Sequence, residues 1–333
     1  MSSFWLELSV QAAPETVEAI SELMSRYVAG GVAIEEPYQL LDDGQEHQPI
    51  PGSPVTIRAY VPDDDDGAQA RQRIEEGLWH LGQVLAGSIG ELTTRRIAEE
   101  DWANAWREHY HVLHLARRTV IKPSWREYMP QGDEVVVELD PGMAFGTGLH
   151  PTTRNCLLVL EEAVRPGDGV LDVGSGSGIL AIAALKLGAS RALALDVSPV
   201  AVETARENAV INGVGERMEV RLATLEGAGA EPFQPLPAEL DTLGPEIGVF
   251  EVVVANIIAR VIAQLAPALA RATRPGGTLI ASGIIAERRA EAEEPLRAAG
   301  LGDIRALVEG DWVTLVGTCP LADERDASNE SGA

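Results

Sequence analysis

A short apolar run at residues 170–173 ends in three glycines, and an alanine-rich helical run follows at once. The glycines are Gly174, Gly176 and Gly178. This pattern predicts a strand, a tight turn and a helix N-terminus, which together form the first unit of a doubly wound parallel sheet. Glycines let the backbone approach a ligand closely, and the first N–H groups of a helix can donate hydrogen bonds to it. The turn is a candidate nucleoside-binding loop, although a glycine turn that only packs strand against helix has the same pattern.

The spacing of the glycines separates two classes of ligand. A dinucleotide fingerprint has the spacing G-x-G-x-x-G and requires glycine at position 179, where this chain has Ile179. Here the spacing is G-x-G-x-G with Asp172 two residues ahead of the first glycine. That arrangement resembles the nucleoside-binding loop of class I S-adenosylmethionine methyltransferases. The resemblance implies S-adenosylmethionine as the cofactor, bound in part by Gly174, Gly176 and Gly178.

A second short apolar run, residues 191–195, ends in Asp196, which is 18 residues past Gly178. An acid at the end of the second strand can accept hydrogen bonds from both hydroxyls of a ribose. The same acid could instead cap the next helix, because Ser198 and Pro199 are also typical of a helix start. The sequence leaves both roles open for Asp196.

Composition and charge exclude several classes of protein. The chain has 333 residues, 45% of them apolar, which is enough for two domains with cores of their own. We expect no membrane span and no secretory signal, and therefore a cytoplasmic protein. The two cysteines, Cys156 and Cys319, suit neither a disulfide framework nor a metal site, so we predict no bound metal. A net charge of −25 argues against nucleic-acid binding and is compatible with a basic protein partner.

Residues 1–97 are predicted to form a small separate domain. Its strands and helices follow the order βαββαβ, which is that of a ferredoxin-like fold. Residues 4–97 contain 6 basic and 16 acidic side chains, and none of them is a candidate nucleophile or base. We interpret this domain as one that recognises a macromolecular substrate without taking part in the chemistry.

Residues 98–126 form a predicted connector, residues 127–320 the larger domain, and residues 321–333 a polar tail that we expect to be disordered. The larger domain contains the loop Asp-Pro-Gly-Met-Ala-Phe-Gly-Thr-Gly-Leu-His-Pro-Thr-Thr at residues 140–153. The connector has two tryptophans four residues apart, and Val-Val-Ala-Asn-Ile follows later, at residues 253–257. With the glycine loop, these motifs resemble the ribosomal protein methyltransferases of the PrmA type.

That resemblance implies an α/β architecture in which a doubly wound, Rossmann-like class I methyltransferase domain follows a smaller ferredoxin-like α+β domain. It implies transfer of methyl groups from S-adenosylmethionine to amino groups of large-subunit ribosomal protein eleven, on lysine side chains, the N-terminal α-amine or both. We also expect a monomer. The residues that it implies at the cofactor, or that we expect to border it, are Thr153, Gly174, Gly176, Gly178, Asp196, Asn256, Phe145, Gly146, Thr147 and His150. Leu149 departs from the family's usual threonine, which removes one hydroxyl from the loop.

Asn256 stands at the carboxyl end of a predicted buried strand, which places it at the ligand edge of the sheet. Enzymes that methylate a planar nitrogen usually have Asn-Pro-Pro-Tyr at this point, whereas here Ile257 and Ile258 follow. The missing aromatic favours a tetrahedral amine, which Asn256 would orient, and we identify no dedicated base. The alternatives are a cap for the next helix at Asn256, a methyltransferase of the same fold acting on another protein, and a non-catalytic ribosome-associated module. Residues 226–248 are predicted to be an acidic loop outside the core.

Overall fold

The computed structural model describes residues 4–25, 27–28, 32–35, 38–40, 47–50, 53–84, 89–98, 112–139, 150–227, 239–244 and 249–321. Contacts divide the chain into two compact units, Met1–His111 with Pro141–Met143, and Val112–Asp140 with Ala144–Ala333. The described part of the predicted connector, residues 112–126, therefore groups with the second unit. None of the helices in the described ranges is long and apolar enough to cross a membrane.

The N-terminal unit contains six strands and two helices within the described residues. They are β1 (Phe4–Ala12), α1 (Val17–Ser25), β2 (Val32–Glu35), β3 (Tyr38–Leu40), β4 (His47–Pro49), β5 (Val55–Pro62), α2 (Asp65–Val84) and β6 (Thr93–Ala98). Four strands form an antiparallel sheet in the order β2-β5-β1-β6, and β3 pairs with β4 separately. The predicted βαββαβ order is present, with the β3–β4 pair inserted between its second and third strands.

Alternation of apolar and polar residues explains the layers of this unit. Along β5, Val55, Ile57, Ala59 and Val61 are buried and the residues between them are partly exposed, as expected for a strand with one covered face. Ile57, Ala59 and Val61 pack with buried residues of α1 and α2 in one core. Helix α2 begins within the run of four aspartates, where the helix dipole favours negative charge.

The second unit contains eleven strands and five helices within the described residues. They are β7 (Leu113–His114), β8 (Thr119–Lys122), β9 (Val135–Glu138), α3 (Pro151–Ala163), β10 (Gly169–Val173), α4 (Ile179–Leu187), β11 (Arg191–Asp196), α5 (Pro199–Ile211), β12 (Met218–Leu225), β13 (Asp241–Leu243), β14 (Phe250–Asn256), α6 (Ala259–Ala272), β15 (Thr273–Ile285), α7 (Arg289–Ala298), β16 (Gly302–Glu309) and β17 (Trp312–Thr318). Strands β7, β8 and β9 form a small sheet of their own.

The large sheet has the order β13-β12-β11-β10-β14-β15-β17-β16. Its first six strands are parallel, and β17 and β16 are antiparallel to their neighbours. From β10 the chain runs outward to β11 and β12 and then returns to β14 on the other side of β10. The carboxyl ends of β10 and β14 therefore form a topological switch point, where ligands bind in sheets of this kind. The predicted doubly wound sheet is confirmed.

Helices cover both faces of the large sheet. Residues of α3, α4 and α5 share one core cluster with Val170, whereas residues of α6 and α7 share another with Leu171 and Val173. Neighbouring residues of β10 thus point to opposite cores, and all five residues of the strand are buried. This explains why β10 is a continuous apolar run interrupted only by the buried Asp172.

The interpretation of residues 226–248 as a loop outside the core was wrong in one part. Residues 241–243 form β13, which pairs in parallel with the end of β12, and Leu243 is buried. A three-residue strand is too short to show a period of two, and only pairing with an existing sheet edge stabilises it. Residues 228–238 and 245–248, like the tail after residue 321, lie outside the described residues.

Candidate active site

The glycine turn lies at the switch point, between the end of β10 and the start of α4. Gly174, Gly176 and Gly178 have φ angles of 75°, 53° and 79°, which favour glycine over any other residue. A Cβ atom on Gly174 would lie 2.4 Å from Ile257 Cγ2, and one on Gly178 would lie 2.9 Å from Met218 Cε. Close packing therefore explains part of the glycine pattern, and the backbone conformation explains the rest.

The start of α4 provides hydrogen-bond donors for a ligand. Its N-cap residue is Gly178, which has no side chain to satisfy the N–H groups of the first turn. Further inside the helix, Ala181 N donates to Asp172 Oδ2 at 3.1 Å. Since a helix N-terminus carries partial positive charge, this end of α4 suits a ligand carboxylate.

Asp196, at the end of β11, holds the glycine turn against the neighbouring strand. Its Oδ2 accepts a hydrogen bond from Gly176 N at 2.8 Å, and its Oδ1 accepts one from Ser198 N at 2.9 Å. Helix α5 is capped by Ser198, whose hydroxyl accepts from Ala201 N. Of the two roles left open by the sequence, the capping of α5 therefore belongs to Ser198. Burial raises the pKa of Asp196, and amide hydrogen bonds partly offset that rise.

Asp172 lies beneath the glycine turn with no exposed surface. Its Oδ1 atom and the Ser175 hydroxyl are buried without a hydrogen-bond partner in the part of the chain described. Burial, and to a lesser extent the charge of Asp196, raises the pKa of Asp172 to about 7. Orphaned polar atoms on the inner side of the turn are expected where a ligand or its bound water completes the site.

We expect Asp172→Asn to change how the stability of the protein depends on pH. In the folded chain Asp172 keeps its proton up to about pH 7, whereas in the unfolded chain it ionises near 3.8. The folded state therefore binds more protons over this interval, and this residue makes stability fall as pH rises. Asn cannot ionise, so the free energy of unfolding of the variant relative to wild type should increase by about 2 kcal/mol between about pH 5 and pH 6.5. Urea titrations across this range measure it, and parallel curves for the two proteins would contradict the shifted pKa.

The start of α3 brings a second part of the predicted site to the switch point. Thr153 is buried, and its Oγ1 accepts a hydrogen bond from Asn256 Nδ2 at 3.4 Å. The two residues are 103 positions apart in the chain. Ile257, which packs against Gly174, directly follows Asn256. The Thr153–Asn256 contact is thus adjacent to the glycine turn.

His150 is the N-cap residue of α3. Its Nδ1 accepts from Thr152 N at 3.3 Å and lies 2.7 Å from Thr152 Oγ1, while its ring packs edge-on against Trp312 at 4.4 Å between centroids. Burial lowers the pKa of His150 to about 4, so the imidazole is neutral at physiological pH. A neutral ring is compatible with a cationic ligand nearby, because it adds no positive charge to the site.

The contacts described above bring seven of the predicted site residues to the carboxyl edge of the large sheet. They are His150, Thr153, Gly174, Gly176, Gly178, Asp196 and Asn256. Phe145, Gly146 and Thr147, with Leu149, lie outside the described residues, as do the two connector tryptophans. The sequence analysis did not single out Ser282, the register partner of Asn256, or Thr314, whose hydroxyl contacts that of Ser282; both side chains are buried. The Ser-Gly pair that interrupts the apolar run of β15 was the signal that could have found the first of them. Among the described side chains, no three of His, Cys, Asp or Glu are grouped as metal ligands would be.

The fold and this edge of the sheet define the class of S-adenosylmethionine-dependent methyltransferases. The chain belongs to the ribosomal protein L11 methyltransferase (PrmA) family, whose model matches residues 4–319. It is 49% identical over 321 residues to a ribosomal protein L11 methyltransferase of Chloroflexus aurantiacus, covering 94% of this chain and 97% of that protein. It is 44% identical over 327 residues to one of Herpetosiphon aurantiacus, covering 95% and 99%.

A solved structure shares the fold over the part of this chain that it covers. The ribosomal protein L11 methylase of Lactobacillus delbrueckii subsp. bulgaricus aligns with a TM-score of 0.52 and 34% identity, covering 63% of this chain and 98% of that one. The predicted family, methyltransferase activity and cofactor are confirmed by these findings. The chain is an enzyme that uses S-adenosylmethionine. Donors at the start of α4 and orphaned polar atoms under the glycine turn fit that cofactor.

Proposed function

We propose that this enzyme transfers methyl groups from S-adenosylmethionine to amino groups of ribosomal protein L11, on lysine side chains, the N-terminal α-amine or both. The observation that carries the proposal is the family match over residues 4–319, which includes both units of the chain. Relatives of 49% and 44% identity have names that specify L11 as the methylated protein. The enzyme acts as a monomer in the cytoplasm, on a protein substrate rather than on nucleic acid.

The proposed contacts of Asp196 and of the start of α4 follow from atoms that the folded chain leaves available. Asp196 retains carboxylate lone pairs beyond its amide hydrogen bonds, and these accept the ribose hydroxyls. The start of α4 with Gly174, Gly176 and Gly178 binds the carboxylate end of the cofactor. Thr153, His150 and the loop residues Phe145, Gly146 and Thr147 complete the site with Asn256. The bound cofactor supplies a methyl group already activated on a sulfonium, so the protein's task is mainly positioning.

The acceptor must reach the site as a neutral amine. A free lysine has a pKa of about 10.4 and an α-amine one of about 8, and desolvation lowers both. We propose no dedicated base, because burial of the amine next to a cation already favours loss of its proton. Because Asn256 Nδ2 donates to Thr153, the amide oxygen of Asn256 is left for the substrate. It would accept a hydrogen bond from the N–H of the substrate amine and so orient the lone pair of that amine.

The residues after Asn256 support an aliphatic acceptor. Ile257 packs toward Gly174, and Ile258, which precedes α6, is 39% exposed. No aromatic ring follows Asn256 to stack on a planar base or amide, whereas an exposed isoleucine can pack against the methylene stem of a lysine. A lysine-rich protein segment therefore fits this edge better than a nucleobase does.

The N-terminal unit is proposed to recognise the protein substrate. Its predicted limits are residues 1–97, ahead of a connector at 98–126 and the catalytic domain at 127–320. The exposed acids among the described residues of this unit include Asp64, Asp65 and Asp66 at the start of α2, Glu75 and Glu76 along it, and Glu91 ahead of β6. An acidic surface attracts a basic partner and speeds their encounter.

Calorimetry and mass spectrometry test the proposed function directly. The purified chain should bind S-adenosylmethionine and should not bind a nicotinamide dinucleotide under the same conditions. Incubation with the cofactor and purified L11 should raise the mass of L11 by about 14 Da for each methyl group that replaces a hydrogen. Tighter binding of NAD would refute the cofactor assignment. Methylation of another ribosomal protein with L11 unchanged would favour the alternative substrate, and cofactor binding without any methylation would favour a non-catalytic module.

A further inference from the structure

Strand β15 is irregular where it passes the candidate site. Between two regular pairs with β17, Ser282 and Gly283 lie opposite a single residue, Thr314. This is a β-bulge, a feature that redirects side chains and is common beside active sites. Gly283 has a φ of 81°, and a Cβ atom there would lie 2.6 Å from the carbonyl oxygen of Ile257. The bulge therefore requires glycine and brings β15 close to the chain that follows Asn256.

Two buried hydroxyls meet at the bulge. Ser282 Oγ lies 2.6 Å from Thr314 Oγ1, and both side chains have 0% exposure. Ser282 Oγ also donates to the carbonyl oxygen of Thr152, in the first turn of α3, at 3.4 Å. A serine has one hydroxyl proton and a carbonyl can only accept, so Thr314 donates to Ser282 while Ser282 donates to Thr152. The pair forms a short relay from β17 to the start of α3.

Ser282 is connected to both sides of the Thr153–Asn256 contact. Its hydroxyl holds Thr152, the residue before Thr153, and its own carbonyl oxygen accepts from Ile257 N at 3.0 Å. In the sheet, Ser282 is also the register partner of Asn256. One residue thus fixes the helix start that carries Thr153 and the strand end that carries Asn256.

Stability alone does not explain why these two positions are polar. A buried hydroxyl costs free energy unless it is hydrogen-bonded, and an apolar pair of the same shape would fill the space equally well. The buried Cys156 thiol is also hydrogen-bonded to Ser282, and burial raises its pKa to about 12, so it remains neutral. Unlike apolar contacts, hydrogen bonds fix the orientation of the groups that they join. The orientation of the first turn of α3 matters because that turn carries Thr153.

We propose that Ser282 and Thr314 are positioning residues, which set the geometry of the Thr153–Asn256 contact and thereby the affinity for the cofactor. The inference rests on the proposed cofactor role of Thr153 and Asn256. The hydroxyl pair acts through α3 and β14 rather than by touching the ligand. Its removal should therefore weaken cofactor binding by an amount that the loss of folding stability does not account for.

Paired substitutions separate positioning from stability. Thr314→Val removes the hydroxyl partner of Ser282, whereas the double variant Ser282→Ala with Thr314→Val removes both hydroxyls and should be close to wild type in stability. Both should bind S-adenosylmethionine about fivefold more weakly, the change expected from one lost buried hydrogen bond. Thr314→Ser keeps the hydroxyl and should bind S-adenosylmethionine with the wild-type affinity.

Thr273→Val is the matched control. Thr273 lies at the other end of β15, is equally buried, and donates from its hydroxyl to the carbonyl oxygen of Leu269 at 2.8 Å. This variant should lose stability as Thr314→Val does and keep the wild-type affinity for the cofactor. Calorimetric Kd values and urea unfolding of the full-length variants give both quantities.

The possible results separate this inference from the proposed function. Wild-type affinity in the double variant, or an equal loss of affinity in Thr273→Val, would overturn the positioning role. Failure of the wild-type chain to bind S-adenosylmethionine would overturn the positioning role and the cofactor site together. Cofactor binding without methylation of L11 would overturn only the proposed substrate, because the Kd comparison among the variants decides the positioning role by itself.

Discussion

A fragment that begins near Glu99 should bind S-adenosylmethionine as tightly as the full chain and yet methylate intact L11 roughly 100-fold more slowly or worse. The large sheet from β10 to β17, with the described cofactor candidates, lies entirely within this fragment. The proposed recognition surface on residues 1–97 is absent from it. Contacts remote from the reacting atoms hold the acceptor in place, so their loss reduces the rate without touching the cofactor site.

Tritiated cofactor and purified L11 measure the rates of both proteins at two ionic strengths. The rate of the full chain should fall as salt rises, because salt screens the attraction between an acidic enzyme and a basic substrate. Calorimetry with the cofactor and far-ultraviolet circular dichroism establish that the fragment is folded. Full methylation activity in the folded fragment would remove the recognition role, whatever the salt dependence.

Asp196→Ala should weaken the binding of S-adenosylmethionine by about 1.5–3 kcal/mol, roughly tenfold or more in Kd. Hydrogen bonds to a charged group contribute about this much, and the proposed ribose hydroxyls donate to this carboxylate. The variant should also lose some stability, because the amides of Gly176 and Ser198 lose their acceptors. Since Ser198 caps α5, the helix itself should remain.

Asp168→Ala is the control for this variant. Asp168 also accepts a hydrogen bond from a backbone amide, that of Arg165 at 2.8 Å. It precedes β10, however, and so lies at the end of that strand away from the glycine turn. Its removal should cost stability without a change in cofactor affinity. An unchanged Kd in folded Asp196→Ala would show that the acid only fastens the glycine turn to β11.

Long segments with a clear period were predictable because their burial depends on the local pattern. The alternation in β5 and the continuous apolar run of β10 each specify a strand and the number of its covered faces. Short elements were not predictable in this way. Strand β13 has three residues, and β3 and β4 have three each, so their pairing with a neighbour decides their structure rather than their own sequence.

The sequence by itself determined the glycine turn, the strand-end positions of Asp196 and Asn256, and the family resemblance, because each depends on residues close together in the chain. Only the tertiary structure decided that Ser198 rather than Asp196 caps α5, and that Asn256 Nδ2 meets a threonine hydroxyl 103 residues away. The relay from Thr314 through Ser282 to α3 likewise joins three separate elements. Hydrogen bonds of this kind depend on distance in space, and residue spacing along one segment carries no information about which distant segment will supply the partner.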